Sequence, residues 1–147
     1  AVQIIAVTPD DEVLFVEQPR VALEGRTIEM PAGLVGDTHG ADTLESAAAR
    51  ELVEETGWEP GRVEVLTVGY TTPGMSNERI ALVRALDLRR VGEGGGVDGE
   101  AITVHAVPRT RAPAWLLEKA AEGYGIDLKV WAGLWMIDYE PDGSRRG

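Results

Sequence analysis

Short apolar runs alternate with longer amphipathic stretches along this chain. The short runs, rich in β-branched and other apolar residues, predict strands at residues 4–7, 13–18, 27–30, 63–70, 80–88 and 102–107. Apolar positions at helical spacing predict helices at residues 42–56, 113–122 and 128–139. The turn at residues 9–11 is expected to join the first two strands as a hairpin. Strands with helices between them predict an α/β (α+β) fold, in which helices cover the faces of a mixed sheet.

The ends of the first predicted helix carry ordinary helix signals. Asp42 is a suitable N-cap, and Glu45 three residues later completes a pattern like a capping box. Gly57 is the expected residue after the last turn, because glycine adopts the left-handed conformation that commonly ends a helix. This helix is therefore predicted with well-defined ends.

The last turns of this helix carry an unusual cluster of acids, in the segment RELVEETG at residues 50–57. Glu51, Glu54 and Glu55 fall on one stripe, where like charges cost about 0.2–0.5 kcal/mol per pair, and two of them oppose the helix dipole. Arg50 can neutralise Glu54 at i+4. A solvated acidic face is one interpretation. The stripe continues the apolar side of the helix, however, and partly buried carboxylates are costly unless they are paired or bind a metal ion. The cluster therefore favours oxygen ligands for a divalent cation.

Composition and charge narrow the possible functions. The chain has 147 residues and a formal net charge of −11, which predicts one domain that repels nucleic acids and anionic membranes. The absence of cysteine excludes disulfides and thiol catalysis and fits a cytoplasmic location. No apolar run approaches the roughly 18 residues of a membrane span, and no signal peptide is visible. The chain begins at Ala1 without an initiator methionine, so the sequence leaves open whether residues precede it.

The acidic segment also resembles a known signature. Gly36, Asp42 and residues 50–58 are similar to the Nudix hydrolase box over 23 residues, 36–58. This resemblance implies an α/β/α sandwich with a mixed sheet, whose signature helix forms the metal site. It also implies Mg²⁺, or Mn²⁺, as the cofactor in hydrolysis of a diphosphate. A single Nudix domain is expected over residues 1–140, followed by a disordered tail at 141–147.

Further segments resemble the branch of this family that acts on ADP-ribose and nucleoside diphosphate sugars. They are residues 17–20, 29–34, 73–74, 100–105 and 125–130. The implied reaction cuts the pyrophosphate of such a molecule into a nucleoside monophosphate and a sugar phosphate. The branch is commonly dimeric, which implies a homodimer. Two alternatives remain: a housecleaning hydrolase of other nucleotides, and a sensor with the same fold that binds a nucleotide sugar without hydrolysis.

Two positions depart from the usual pattern. Asp42 stands where the box usually has Glu, and we interpret Asp42 as a structural residue. The branch normally opens the box on the glycine of its Pro-Ala-Gly loop, but Gly33 lies three residues too early and Gly36 takes that position. An insertion is therefore expected at residues 37–40. It bears on substrate placement and not on the chemistry.

The resemblance assigns the metal ligands. Glu51 and Glu55 are the first choices, and Glu54 is expected to bind the same ion or a second one. The backbone carbonyl of Ala32 is a further ligand, since the glycine after it lets the backbone come close to the ion. Arg50 is expected to orient these ligands, with a plain surface ion pair as the alternative.

The resemblance to this branch also implies that the general base is an acid on a mobile loop before a late strand. Glu100 is the first candidate, followed by Asp98 and then Glu93 in the same segment, while Glu54 is a rival on the signature helix. Five glycines between residues 92 and 99 predict a flexible segment that could close over substrate. The alternative is an ordinary solvent loop.

Four residues are expected to contact the substrate: Arg20, Glu29, Leu34 and Pro73. Arg20 should hold a phosphate or the terminal ribose, and Glu29 a ribose or the base. His39 and His105 are isolated histidines without ligand spacing, so a structural or surface role is expected for both.

Overall fold

The computed structural model describes residues 1–36, 42–97 and 99–147. The strands are β1 Val2–Ala6, β2 Glu12–Arg20, β3 Gly25–Glu29, β4 Ala32–Gly33, β5 Trp58–Tyr70, β6 Arg79–Arg90, β7 Thr103–Pro108 and β8 Gly125–Ile126. The helices are α1 Leu44–Thr56, α2 Ala112–Ala121 and α3 Lys129–Asp138. In these ranges no helix is long and apolar enough to cross a membrane.

The strands form two sheets rather than the one expected. Over the described residues, the first sheet has the order β4-β1-β6-β5 and the second has the order β7-β2-β3-β8. Both are mixed, because β1 with β6 and β3 with β8 are parallel, while the other pairs are antiparallel. The predicted α+β class with mixed sheets is confirmed.

The predicted hairpin of the first two strands is wrong in its pairing. β1 and β2 are joined by a short turn but lie in different sheets, with a single bridge between Val7 and Val13. All five residues of β1 are buried. A strand covered on both faces can take a central place in a sheet, and β1 lies between β4 and β6.

The side chains of β1 and β2 alternate between two apolar cores. Ile4 and Leu14 pack with the apolar side of α1, whereas Ile5 and Phe15 pack with α2 and α3. This alternation follows from the two-residue period of a strand. The two sheets therefore lie between α1 on one side and α2 with α3 on the other.

The signature helix begins at a different residue from the one expected. Thr43, not Asp42, is the N-cap, and it exchanges hydrogen bonds with Ser46 in a capping box. Threonine caps a helix nearly as well as aspartate, which leaves Asp42 available for other contacts. The helix ends as predicted at Gly57, whose φ is 81°.

Residues 141–147, for which the sequence predicts disorder, make backbone hydrogen bonds in the structure. The amide of Glu140 donates to the carbonyl of Ser144 at 2.8 Å, and the amide of Arg146 donates to the carbonyl of Asp138 at 2.8 Å. The guanidinium of Arg146 also pairs with Glu140 at 3.2 Å. The structure therefore shows a turn that packs back on the end of α3.

Candidate functional site

A cleft of about 510 Å³ lies between the C-terminal half of α1, β4 and the end of β2. Six residues expected to act in the site line it: Arg20, Ala32, Leu34, Glu51, Glu55 and Glu100. Four further residues line it that were not predicted as site residues: Ala1, Gln18, Gly33 and Glu78. Gln18 and Gly33 belong to the resembling segments 17–20 and 29–34. Glu78 carried no sequence signal, because it reaches the cleft only through the fold of the loop before β6.

The α1 wall of the cleft contains a buried carboxylate. Glu55 is 6% exposed, and its Oε2 accepts a hydrogen bond from the amide of Ala32 at 3.0 Å. One residue further, a Cβ atom on Gly33 would lie 2.1 Å from Cγ of Glu51. Any larger residue here would displace the Glu51 side chain, so glycine permits this close approach between β4 and the signature helix.

Burial raises the pKa of Glu55 to about 8, although the hydrogen bond from Ala32 opposes the shift. The carboxylates of Glu51, Glu100 and Glu29 raise the pKa further. The charges of these three acids therefore all act on Glu55, and one of them, Glu100, comes from the glycine-rich segment.

Arg50 contacts a different partner from the one expected. Its Nη1 lies 2.9 Å from Oδ2 of Asp42, and its Nη2 lies 3.9 Å from Oε1 of Glu51. Nη2 also donates to the carbonyl of Leu34 at 3.4 Å. The sequence predicted an ion pair with Glu54, but among the described residues the ion pairs of Arg50 are with Asp42 and Glu51. Arg50 thus links the loop after β4 to the signature helix, and Asp42 holds its guanidinium in place.

The β2–β3 wall carries an arginine and a glutamate that bind each other. Arg20 donates from Nε and Nη2 to the two oxygens of Glu29, both at 2.8 Å. The hydroxyl of Thr27 donates to Glu29 as well. Burial acts to raise the pKa of Glu29, but the hydrogen bonds from Arg20 and Thr27 outweigh burial and hold the pKa below its ordinary value. Both predicted substrate contacts therefore lie together, with Arg20 facing the cleft.

The glycine-rich segment is bound to the end of the signature helix. The amide of Gly95 donates to the carbonyl of Glu55 at 2.8 Å, and the amide of Gly96 donates to the carbonyl of Glu54 at 3.0 Å. The last carbonyls of a helix have no partner within it, and these amides supply partners. A Cβ atom on Gly94 would lie 2.5 Å from the carbonyl carbon of Thr56. The glycines thus allow close docking, whereas the sequence predicted only flexibility.

The remaining predicted residues divide between the cleft and its surroundings. Glu100 lines the cleft, and its amide donates to the carbonyl of Val97 at 3.1 Å. Among the described residues, the lining does not include Glu29, Arg50, Glu54 or Pro73. Glu29 lines a neighbouring cavity together with Arg20. Glu54 is partly exposed on α1, and Pro73 is exposed on a turn. Asp98, His39 and the expected insertion at 37–40 lie outside the described residues.

One observation indicates that the acidic residues of the cleft suit a divalent cation. In the described ranges, no group of three or more His, Asp and Glu side chains stands ready to hold a metal ion. Glu55 is nevertheless buried without an ion pair to any described cationic side chain, and its pKa is raised accordingly. A bound divalent cation would stabilise the ionised form of this carboxylate, because carboxylates bind metal ions only when deprotonated.

Comparison with known proteins agrees with this geometry. A family model for the NUDIX domain matches residues 1–125. The chain is 39% identical over 98 residues to a methanol dehydrogenase activator of Bacillus methanolicus, which covers 67% of this chain and 51% of that protein. It is 31% identical over 125 residues to an ADP-ribose pyrophosphatase of Saccharomyces cerevisiae, which covers 82% of this chain and 53% of that protein.

A third relative is a GDP-mannose pyrophosphatase of Cronobacter sakazakii, 37% identical over 126 residues, which covers 80% of this chain and 62% of that protein. The chain therefore spans about half to three fifths of the length of these relatives.

A solved structure described as an ADP compounds hydrolase matches the fold with a TM-score of 0.64 at 20% identity. The match covers 83% of this chain and 72% of that one. The resemblance that begins with residues 36–58 is thus confirmed by the family model, by the relatives and by the fold. The chain belongs to the Nudix family.

Proposed function

We propose that this Nudix domain hydrolyses the pyrophosphate bond of ADP-ribose or a related nucleoside diphosphate sugar, with Mg²⁺ as the cofactor and Mn²⁺ as a substitute. One observation supports this above the others: Glu51 and Glu55 of α1, the Ala32–Gly33 segment and Arg20 meet in one cleft. Two of the relatives are pyrophosphatases of ADP-ribose and GDP-mannose. The cleft combines groups for a cation with a group for an anion, as a diphosphate bound to a metal ion requires.

The acids of α1 would hold the metal ion. Glu51, Glu54 and Glu55 are proposed ligands, together with the carbonyl of Ala32. When bound, the ion neutralises charge on the phosphate oxygens and lowers the pKa of a bound water. Arg50 contacts both Glu51 and the carbonyl of Leu34, and so holds the two in a fixed position relative to each other.

Arg20 is proposed to bind a phosphate of the substrate. An arginine carries five N–H donors, and the pair with Glu29 uses two of them. The side chain is 48% exposed, so the other donors can reach a ligand in the cleft. Glu29 fixes the plane of the guanidinium, and its own contact with a ribose or base remains a proposal. Leu34 and Pro73 are also proposed to contact the substrate.

Glu100 is proposed as the general base. Its carboxylate accepts a proton from the attacking water while the water oxygen bonds to phosphorus. The bond from that phosphorus to the bridging oxygen then breaks, and the products are a nucleoside monophosphate and a sugar phosphate. Glu54 is the second candidate and Asp98 the third. Replacing Glu100 by Gln should lower kcat by about 10²–10⁴-fold if it is the base, and an unchanged kcat would transfer the role to Glu54.

A substrate panel tests the proposed reaction. ADP-ribose, GDP-mannose, UDP-glucose and nucleoside triphosphates are each incubated with the protein and Mg²⁺, and the products are resolved by chromatography. We expect nucleoside monophosphate and sugar phosphate from at least one of the first three. Turnover of triphosphates only would favour the housecleaning hydrolase. Tight binding of a nucleotide sugar without turnover would favour the sensor.

The assembly and location are proposals as well. We expect a homodimer, supported by apolar side chains left exposed on β5 and α3, namely Val68, Tyr70, Trp131 and Trp135. Light scattering at micromolar concentration would show a dimer mass, and a monomer mass would contradict this expectation. The absence of cysteine supports a cytoplasmic location.

A further inference from the structure

Arg26 on β3 connects the body of the second sheet to the segment that bears Glu100. Its Nη2 donates to the carbonyl of Ala101 at 3.1 Å. Its Nε donates to the carboxylate of Glu17, and Nη2 also reaches the carbonyl of Glu17 at 3.4 Å. One guanidinium therefore ties β2 to the residue that directly follows the proposed base.

The partner of Arg26 is itself held firmly. Glu17 is buried, and its Oε1 lies 2.9 Å from Nε2 of His105 on β7. The ring of His105 packs against Trp115 at 5.1 Å between centroids, and Trp115 stacks on Phe15 of the core at 5.2 Å. Burial acts to raise the pKa of Glu17, but hydrogen bonds from His105 and Arg26 hold it below its ordinary value. Arg26 is thus anchored through Glu17 to the packed interior.

The chain is therefore attached to the rest of the structure on both sides of Glu100. On the preceding side, Gly95 and Gly96 are bound to the end of α1. On the following side, the carbonyl of Ala101 is bound by Arg26, and the next residue, Ile102, is buried. Glu100 itself is exposed to the cleft between these two attachments.

We propose that Arg26 is a positioning residue for the hydrolysis, which sets the place of the Glu100 carboxylate through the carbonyl of Ala101 and is itself oriented by Glu17. This inference rests on the proposed function, and in particular on Glu100 as the base. Arg26 does not line the cleft, and its hydrogen bonds are to Glu17 and to the carbonyl of Ala101. Its loss should therefore affect the proton transfer and leave metal binding and substrate binding nearly unchanged.

The test begins with Arg26→Ala. We expect kcat to fall by about tenfold to 100-fold, the range typical of residues that orient a functional group. KM and the Mg²⁺ concentration for half-maximal rate should change by less than about twofold. Arg26→Lys should recover little, because a point charge on a flexible stem cannot bridge Glu17 and Ala101 as a planar guanidinium does. Guanidinium ion in the buffer should restore part of the activity of Arg26→Ala.

A double-mutant cycle separates positioning from general damage. In a Glu100→Gln background, Arg26→Ala should lower kcat by less than about twofold further, because the group that it positions is already gone. An equal fold loss in both backgrounds would overturn the inference. Arg89→Ala is the matched control, since Arg89 is an exposed arginine that pairs with Glu59 at 2.6 Å on the other sheet. We expect its kcat to equal that of the unmodified protein.

Amide hydrogen exchange provides a readout that does not depend on turnover. We expect the amides of residues 99–102 to exchange faster in Arg26→Ala, while α1 keeps its protection. Unchanged exchange in this segment would overturn the inference even if the proposed reaction is correct. Faster exchange in a protein that hydrolyses no nucleotide would instead refute the proposed function and leave the tether of Ala101 established.

Discussion

The β2–β3 wall, which lines the cleft through Gln18 and Arg20 of β2, and the α1 wall each contain a buried glutamate. The two glutamates are in opposite electrostatic states. Glu29 accepts two hydrogen bonds from Arg20 and one from Thr27, and its pKa is held below the ordinary value. Glu55 accepts one hydrogen bond, from the amide of Ala32, and burial raises its pKa to about 8. The first wall compensates its buried charge with its own residues, and the second does not.

This difference indicates what each wall is for. A buried carboxylate that is fully hydrogen-bonded contributes to a fixed architecture, and Glu29 gives Arg20 its orientation. A buried carboxylate without a cationic partner costs stability in the folded protein. At Glu55 no cationic side chain among the described residues compensates this cost. We propose that a divalent cation supplies the compensating charge when it binds.

The largest expected effect is on activity, from Glu55→Gln. An amide cannot ionise, and it binds Mg²⁺ more weakly than a carboxylate. Replacing a residue that merely orients a ligand costs about 10–100-fold, so loss of the ligand itself should lower kcat/KM by at least about 100-fold. Steady-state kinetics with ADP-ribose and Mg²⁺ measure this change. The matched control is Glu45→Gln, an exposed glutamate in the first turn of the same helix. Equal activities in the two variants would refute the metal assignment.

The second largest expected effect is on the free energy of unfolding in the absence of metal ions. The folded-state pKa of Glu55 lies above its ordinary value of 4.5. Between pH 4.5 and about 8 the folded state therefore keeps a proton that the unfolded state has lost. The free energy of unfolding should fall across this window, by on the order of 5 kcal/mol from this group. Urea titrations in EDTA at several pH values measure it. Glu55→Gln should be more stable than the unmodified protein at pH 8, and a less stable variant would contradict the account.

On the β2–β3 wall, replacing the buried glutamate should lower the free energy of unfolding instead of raising it. Glu29→Gln leaves one acceptor oxygen for three donors, two from Arg20 and one from Thr27. We expect a loss of about 2 kcal/mol in the free energy of unfolding, and a higher KM because Arg20 loses its orientation. Urea titration and steady-state kinetics on the same preparation measure both. If Glu29→Gln and Glu55→Gln shift stability in the same direction, the contrast between the two walls does not hold.

The smallest expected effect is from Gly33→Ala. The new Cβ atom would lie 2.1 Å from Cγ of Glu51, so that side chain must move. Because a flexible side chain can adjust, we expect about a tenfold fall in kcat/KM, in the lower part of the range for displaced ligands. The Mg²⁺ concentration for half-maximal rate should rise. Gly69→Ala is the control, since nothing lies within 4 Å of a Cβ atom there.

Much of the architecture could be predicted because local signals agree with the fold. The helix predicted at 42–56 is observed at Leu44–Thr56, and its last turn and glycine end are where the sequence indicated. The acidic stripe does continue the apolar side of the helix: Ala47, Ala48 and Glu55 are buried there, while Leu44 and Glu51 on the same side are partly buried. Periodicity was sufficient here because the helix has one apolar side and clear end signals.

Other features depended on contacts that are distant in sequence. β4 and β8 have two residues each, too few for a periodic pattern. The separation of β1 and β2 into two sheets follows from partners that lie far along the chain. The contact of Arg50 with Asp42 and the tether from Arg26 to Ala101 involve loop geometry, which no spacing rule encodes. Resemblance found the acids of the cleft, whereas the residues that hold them in place required the structure.

Proton release on metal binding tests the central claim most directly. Mg²⁺ is titrated into the protein by calorimetry at pH 7 in two buffers with different ionisation enthalpies. If Glu55 is a ligand whose pKa is about 8 without metal, most molecules must lose a proton from it when the ion binds. The account predicts release of close to one proton from the unmodified protein and none from Glu55→Gln, which should also bind more weakly. Equal binding by both proteins, with no proton released, would contradict it.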